Sequence, residues 1–350
     1  MNQKPFLITG PCSAETEQQV LETARSLQPL QPNYFRAGIW KPRTRPGEFE
    51  GAGNIGLEWL KKVQSEVGLK VATEVAKPEH VEAALKAGID LLWVGARTST
   101  NPFSVQELAE SLAGVDIPIM VKNPVNPDLK LWIGAIERFY KCNVNSISAI
   151  HRGFSVYEKT RFRNNPNWQI PIDLKHEMPQ IQLICDPSHI GGRTAILFEI
   201  AQKAMDLKFD GLMIESHCAP AQAWTDSKQQ IDAVELSALL KKLTIRNFHE
   251  IEEAELIAFR SSLSELDDAI IQLLHERMQV SATIGNFKKE HNLAVLQSNQ
   301  WEESLRKNVT KAILADLSEE FSTTLFKLIH QESIHIQSTI LNGPNEDENH

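Results

Sequence analysis

Cysteine is scarce in this chain of 350 residues: there are four, at positions 12, 142, 185 and 218, with none of the paired spacings of a disulfide scaffold. Reduced thiols and a cytoplasmic setting are the expectation. Long apolar runs are absent too. No stretch approaches the about 20 residues that a membrane-spanning helix requires, and a strand-like run begins at Phe6 with no signal peptide before it. Positive charge is also short. A formal net charge of -9 argues against the basic field that a nucleic-acid surface needs. Lys and Arg that cluster in so acidic a chain are therefore candidates for local anion sites.

What is present is a rhythm. Hydrophobic residues at 42% and charged residues at 23% are ordinary for a globular protein. Short, β-branched apolar runs recur at 6–9, 34–39, 70–74, 91–95, 118–122, 146–150, 180–185 and 211–215. Segments of helical composition lie between them, at 17–27, 56–67, 78–87, 104–112, 129–140, 193–205 and 227–242. Eight such units predict a (β/α)8 TIM barrel over residues 1–243, in which the strand C-termini build the active site. Past Leu243 the β-rich runs stop. Residues 244–250 read as a linker without Pro or Gly, 251–342 as an all-α domain, and the polar, acidic 343–350 as a disordered tail.

The polar residues at the strand ends carry the chemistry. Cys12, His189, Glu215 and Asp226 each follow a short apolar run. Thiolate, imidazole and two carboxylates suit Mn, Fe, Co or Zn better than Mg or Ca, so one divalent transition metal is expected. Metal-free, Cys12 is expected to be an exposed thiolate that oxidises readily. Six cations, Arg36, Lys41, Arg43, Arg97, Lys122 and Arg152, fall on or just after strands. On one rim they would repel one another unless anions lay between them. Guanidinium forks bind phosphate and carboxylate, so two anionic groups or two substrates are implied.

Here the motifs resemble a family. Gly10-Pro11-Cys12-Ser13, Lys41-Pro42-Arg43-Thr44, Gly95-Ala96-Arg97 and Asp186-Pro187-Ser188-His189 occur in the order found in the short microbial (type Iβ) 3-deoxy-D-arabino-heptulosonate-7-phosphate (DAHP) synthases. The resemblance implies condensation of phosphoenolpyruvate with erythrose 4-phosphate, releasing phosphate. It implies that Arg36, Lys41, Arg97, Lys122 and Arg152 surround phosphoenolpyruvate, and that Lys41, Pro42, Arg43 and Thr44 hold the sugar phosphate. Cys12, His189, Glu215 and Asp226 match the family's metal ligands. Lys41, His189 or a metal-held water would protonate the forming alkoxide. Two rival readings stay open. One is the related synthase of 3-deoxy-D-manno-octulosonate 8-phosphate, whose sugar-binding stretch does not read Lys-Pro-Arg-Thr. The other is a Schiff-base aldolase using Lys122.

In the helical domain Leu263, Leu266, Ile270, Leu273, Val280, Ile284 and Phe287 step by threes and fours, predicting the seam of a long packed helix. Arg277 stands where the next apolar residue belongs, and a charge in a buried stripe needs a partner. Lys288 lies three turns on, about 16 Å along nearly the same face, so the two could grip one small dianion. Arg260 lies about 25 Å before Arg277 and rotated from it. It could join them only from an antiparallel helix of a second subunit. That layout resembles the all-helical (AroQ) chorismate mutases, which are intertwined dimers. By resemblance Arg260, Arg277, Lys288, Ser333 and Gln337 bind chorismate or prephenate, with Lys288 and Gln337 stabilising charge on the breaking ether oxygen. Where such mutases commonly carry acidic and arginine residues in the second helix, this chain has Gln297, Gln300 and Trp301. A dimerisation and sensing domain without turnover is the alternative. The fusion also suggests feedback, in which prephenate or chorismate bound to the helical domain inhibits the barrel.

Overall fold

The computed structural model describes residues 4–41, 47–157, 160–246, 254–296 and 298–343. The chain forms two compact units that divide between Asn247 and Phe248. In the first, eight parallel strands close into a barrel in chain order: β1 (Phe6–Gly10), β2 (Tyr34–Arg36), β3 (Val71–Val75), β4 (Leu91–Val94), β5 (Ile119–Lys122), β6 (Ile147–His151), β7 (Gln182–Cys185) and β8 (Gly211–Glu215). Closure comes from β8 pairing along all of β1, from Phe6 with Gly211 to Gly10 with Glu215. No strand edge is left unpaired.

Helices α1 (Glu17–Leu27), α2 (Ile55–Lys62), α3 (Pro78–Lys86), α4 (Pro102–Ser111), α5 (Leu129–Lys141), α6 (Gln169–Glu177), the single turn α7 (Pro187–Gly191), α8 (Leu197–Asp206) and α9 (Ala233–Lys242) follow the strands. Their starts are written locally. Thr16, Asn101, Asp128 and Asp232 accept hydrogen bonds from the first free N–H groups of α1, α4, α5 and α9. Two elements differ from expectation. The second strand ends at Arg36, because the chain beyond it is drawn toward the loop after β1, where the Gly38 N–H donates to the Cys12 carbonyl. The segment at 193–205 opens as a 3-10 turn before α8. The helix α6 lies outside the helical segments singled out above, and its Pro171 sits in the first turn, where a missing N–H leaves no bond unmade.

The barrel has two apolar layers. Ile8, Ala72, Leu91, Trp93, Met120, Ile150, Ile184 and Met213 fill its interior. The alternate residues, such as Leu7, Val71, Leu92, Val121 and Leu212, pack outward against the helices. This alternation sets the site. Two residues beyond an interior side chain, the next one also points inward and stands at the mouth. The fit is close at Gly10, whose φ is 145° and where a Cβ would come 2.2 Å from the Arg36 carbonyl oxygen.

The second unit is helical: α10 (Ala254–Glu290), α11 (Ser298–Leu314) and α12 (Glu319–Asn342). α12 packs against both others. Gly285 lets α10 and α12 approach, since a Cβ there would lie 3.3 Å from the Gln337 Cα. The expected apolar seam of α10 is not packed against the described residues. Leu263 through Phe287 along that seam are 42–65% exposed. The α10 face turned to α12 carries Ser281 and Lys288 instead, both buried.

One outward residue of the barrel titrates unusually. His151 is wholly buried among Trp132, Phe154, Trp168 and Phe209, with ring centroids 5.4–6.4 Å away. Burial, and then the charge of Arg152, lower its pKa to about 3. Its folded pKa lies below the ordinary value near 6.5, so the stability it contributes is full above pH 6.5 and is lost as pH falls toward 3. We expect the urea midpoint to fall across pH 6.5 to 4.5, and His151→Phe to remove part of that slope, up to about 1.4 kcal/mol per pH unit. An unchanged slope in the variant would show that the ring does not resist protonation.

Candidate active site and metal centre

At the mouth of the barrel six candidate side chains stand two residues beyond an interior one. Arg36 follows Tyr34, Glu74 follows Ala72, Lys122 follows Met120, Arg152 follows Ile150, Asp186 follows Ile184 and Glu215 follows Met213. Cys12 and Asp226 come from the loops after β1 and β8, and those loops are stitched together. The Cys12 N–H donates to Gln230 Oε1 at 3.0 Å, and the Ser13 and Thr225 hydroxyls lie 2.7 Å apart. The Trp224 N–H donates to Glu15 Oε1. Asp226 itself holds a left-handed backbone, φ 49°, a conformation Asp tolerates better than most residues.

Three of the four expected metal donors form one group: ligand atoms of Cys12, Glu215 and Asp226 all lie within 4.8 Å of one another. His189 stands beside it, with Nε2 3.8 Å from Glu215 Oε1. Its Nδ1 lies 2.8 Å from Asp186 Oδ2, while Asp186 Oδ1 accepts from the His189 N–H. A carboxylate behind the imidazole turns Nε2 toward the donor group, the arrangement usual for metal-binding histidines. Buried Glu215 Oε1 accepts no hydrogen bond, although Arg36 Nη2 lies 3.2 Å away as an ion pair. Thiol, imidazole and carboxylate donors gathered in this way fit a divalent cation.

The electrostatics agree. Burial alone would raise the Glu215 pKa, but His189 and Arg36 hold it below the carboxylate range. Asp226 is likewise held low against burial by Arg163 and His189. Cys12 corrects an expectation. The side chain is buried, and burial, with Glu215 next, pushes its pKa up to about 11 despite Lys41. Without a cation it is therefore a buried thiol, not an exposed and readily oxidised thiolate.

Beside the donor group lies a cavity of about 300 Å³ whose lining includes Lys41, Arg97, Lys122, Arg152, Arg163 and Glu74. Arg36 lies under it, bonded to Glu215 at 3.2 Å, with its Nε and Nη1 buried and unpartnered. Lys122 Nζ is spent on Asp186 at 2.8 Å, which does not suit the free amine of a Schiff-base aldolase. Lys41 Nζ lies 3.4 Å from the Cys12 sulfur, joining the cation wall to the metal donors. Pro42, Arg43 and Thr44 lie outside the described residues.

In the helical unit Arg277 Nη1 donates to Ser333 Oγ at 2.6 Å, and Lys288 Nζ donates to Gln337 Oε1 at 2.9 Å. Four of the five expected ligand-binding residues thus meet between α10 and α12. Arg260 is exposed and is not brought to them within this chain. Of the departures in the second helix, Trp301 stacks on His330, with ring centroids 3.6 Å apart. Gln300 is exposed, and Gln297 lies outside the described residues.

Residues 1–248 match the family model of the DAHP synthetase I family. The chain belongs to that family. Residues 259–338 match a second model, chorismate mutase type II, so two enzyme families are joined in one polypeptide. Phospho-2-dehydro-3-deoxyheptonate aldolase of Thermotoga maritima is 28% identical over 226 residues, covering 65% of each chain. The 2-dehydro-3-deoxyphosphooctonate aldolase of a Polaromonas species is 26% identical over 265 residues, 69% of this chain and 90% of that one. A crystal structure of the Thermotoga maritima enzyme aligns with a TM-score of 0.61 at 25% identity, covering 69% of this chain and 68% of that chain.

Within this DAHP synthetase I barrel, sequence reasoning missed Glu74 and Arg163 and did not assign Asp186 a role of its own. A carboxylate two residues past a buried alanine in a strand is the signal for Glu74. A Cβ at Gly95 would come 2.2 Å from Glu74 Oε1, so that glycine keeps the carboxylate in place. Arg163 is harder to foresee, because it reaches Asp226 at 2.8 Å from an irregular loop. It also bonds Gln229, which in turn donates to Glu215.

Asp186 both orients His189 and neutralises Lys122. We expect Asp186→Asn to weaken divalent-metal affinity about 10- to 100-fold, as loss of such a supporting carboxylate typically does. Competition with a chromophoric chelator measures it, and equal affinities would remove the orienting role.

Proposed function

We propose that the barrel condenses phosphoenolpyruvate with erythrose 4-phosphate to DAHP and phosphate. The observation that carries this reading is one pocket lined by two sets of groups: the cations Lys41, Arg97, Lys122, Arg152 and Arg163, and the donors Cys12, His189 and Asp226. The first calls for an anion and the second for a cation. Arg36, Arg97, Lys122 and Arg152 supply donors for the phosphate and carboxylate of the enol phosphate. Cys12, His189, Glu215 and Asp226 would hold a divalent transition metal, Mn, Fe, Co or Zn, in preference to Mg or Ca. Such an ion would polarise the sugar aldehyde as a Lewis acid.

C3 of the enol phosphate then attacks the aldehyde carbon. Lys41, 3.4 Å from the Cys12 sulfur, would protonate the alkoxide. Water adds at C2, and phosphate leaves into the field of the arginines, which stabilise its charge. Relatives named for an octulosonate product share the barrel, so the aldose is the point of distinction. The Lys41-Pro42-Arg43-Thr44 segment and the family model favour the four-carbon sugar. Four unpaired cysteines support a cytoplasmic setting, and no helix among the described residues is long and apolar enough to cross a membrane.

Phosphate release from phosphoenolpyruvate and erythrose 4-phosphate tests the condensation. Release is expected, abolished by chelator and restored by a divalent transition metal; faster release with a five-carbon aldose phosphate would shift the reading to the octulosonate enzyme. Repeated at saturating prephenate, the same assay tests feedback: inhibition is expected, and an unchanged rate would refute it.

We further propose that the helical domain rearranges chorismate to prephenate as a homodimer. The exposed α10 seam supports a second copy as its partner, and Arg260 would then reach the other chain's site. The rearrangement needs no acid or base, only a compact conformer held between Arg277 and Lys288 and donors for the ether oxygen. A binding domain without turnover remains the second reading, favoured by Gln300 and Trp301 at positions commonly charged. Arg260→Ala and Arg277→Ala are each expected to lower kcat/KM about 10- to 100-fold, the weight of a lost charged hydrogen bond. Unfolding the two variants together and refolding them as mixed dimers is expected to restore activity. Failure of complementation would place both arginines in one chain's site.

A further inference from the structure

The polar cluster between α10 and α12 contains one group that no interaction above uses. His330 lies three residues before Ser333 and seven before Gln337 on α12, so the three share a face. Its Nε2 is buried and has no hydrogen-bond partner. Its ring is stacked on Trp301 of α11, with an interplanar angle of 7°. The stack fixes the plane in which this nitrogen lies. Burial, then the nearby charges of Arg277 and Lys288, lower the His330 pKa. The imidazole is thus a neutral group set among cations, close enough to both arginine and lysine to feel their charge.

An orphaned polar atom in such a position is a cost unless a ligand satisfies it. The ligand of the mutase reading, on which this inference rests, has two carboxylates, an ether oxygen and one ring hydroxyl. Arg277 and Lys288 account for negative charge, and Lys288 with Gln337 for the ether. The hydroxyl is the polar group left over, and His330 Nε2, on the α12 face of Ser333 and Gln337, is the buried nitrogen left over. A neutral imidazole suits a neutral hydroxyl, since it can donate or accept according to its tautomer.

We propose that His330, braced by Trp301, is the specificity-determining residue that recognises the ring hydroxyl of the cyclic dicarboxylate bound in the helical domain. The aromatic brace and its imidazole then stand where charged residues would otherwise approach the ligand, and discrimination comes from a neutral hydrogen bond.

Binding to the full-length protein tests this by calorimetry with chorismate and with its analogue lacking the ring hydroxyl. Wild type is expected to bind chorismate about tenfold more tightly than the analogue, the worth of a neutral hydrogen bond in a buried site. His330→Phe keeps a stacking ring and removes the nitrogen. It is expected to lose about that factor for chorismate, to lose none for the analogue, and to be partly rescued by His330→Gln. Equal affinities of wild type for the two ligands overturn the assignment without requiring any variant to fold. So does a His330→Phe loss that is the same for both. Absence of chorismate binding by wild type would instead overturn the mutase reading itself, and this inference with it.

Discussion

The Glu215 carboxylate, wholly buried at the end of β8, stays charged only because other groups are held around it. Arg36 lies 3.2 Å away, His189 3.8 Å away, and Gln229 donates to its second oxygen. Each of those is placed by something else: Arg36 by β2, His189 by the Asp186 carboxylate, Gln229 by Arg163. Burying one charge without its partner costs several kcal/mol, so the mouth of this barrel is a set of mutual dependencies. The same argument explains why Lys122 is paired with Asp186 beneath the pocket. Arg152, at the pocket wall with Arg97, is held by the Asn164 side chain, whose Oδ1 accepts from its Nη1 at 2.6 Å.

The helical unit inverts this economy. Its long helix α10 leaves large apolar side chains exposed along one face and buries Lys288 and Ser281 along another. A single chain folded for its own sake would do the opposite. Polar residues in the interior are acceptable there because they are bonded, Ser281 to Ser333 and Lys288 to Gln337, while Arg277, itself exposed, reaches in to Ser333. The exposed apolar face is acceptable only if something covers it.

Much of the barrel was legible in the sequence because its physics is local and periodic. Apolar runs marked all eight strands, and reactive residues just past them marked the mouth. The candidate metal donors stand out because a thiol, an imidazole and carboxylates are rarely placed so consistently by accident, and three of the four come together at the mouth. Less legible were residues whose role depends on a partner distant in sequence. Glu74 looks like any strand carboxylate until Gly95 is seen making room for it, and Arg163 lies in no regular element. The Cys12 thiol was misread for a related reason. Its sequence neighbours suggest a loop, but the loops after β1 and β8 close over it, and burial rather than exposure sets its chemistry. In the bundle, the seam pattern of α10 was visible, but a heptad-like stripe does not say which chain it packs against.

The two reactions proposed for the units would make different demands on a site for an anionic ligand. A condensation that makes a carbon–carbon bond and expels phosphate develops new charge, so rigid cations and a Lewis acid are useful beside the reacting atoms. These need strong positional control, which strand ends of a closed barrel supply. A rearrangement within one molecule develops little net charge and requires mainly a shape. Two helices that meet through Arg277 with Ser333 and Lys288 with Gln337 would supply that shape with two cations. Uncharged Gln300 and Trp301 at the start of the second helix are consistent with such chemistry, because those two pairs would then both neutralise and orient a compact ligand.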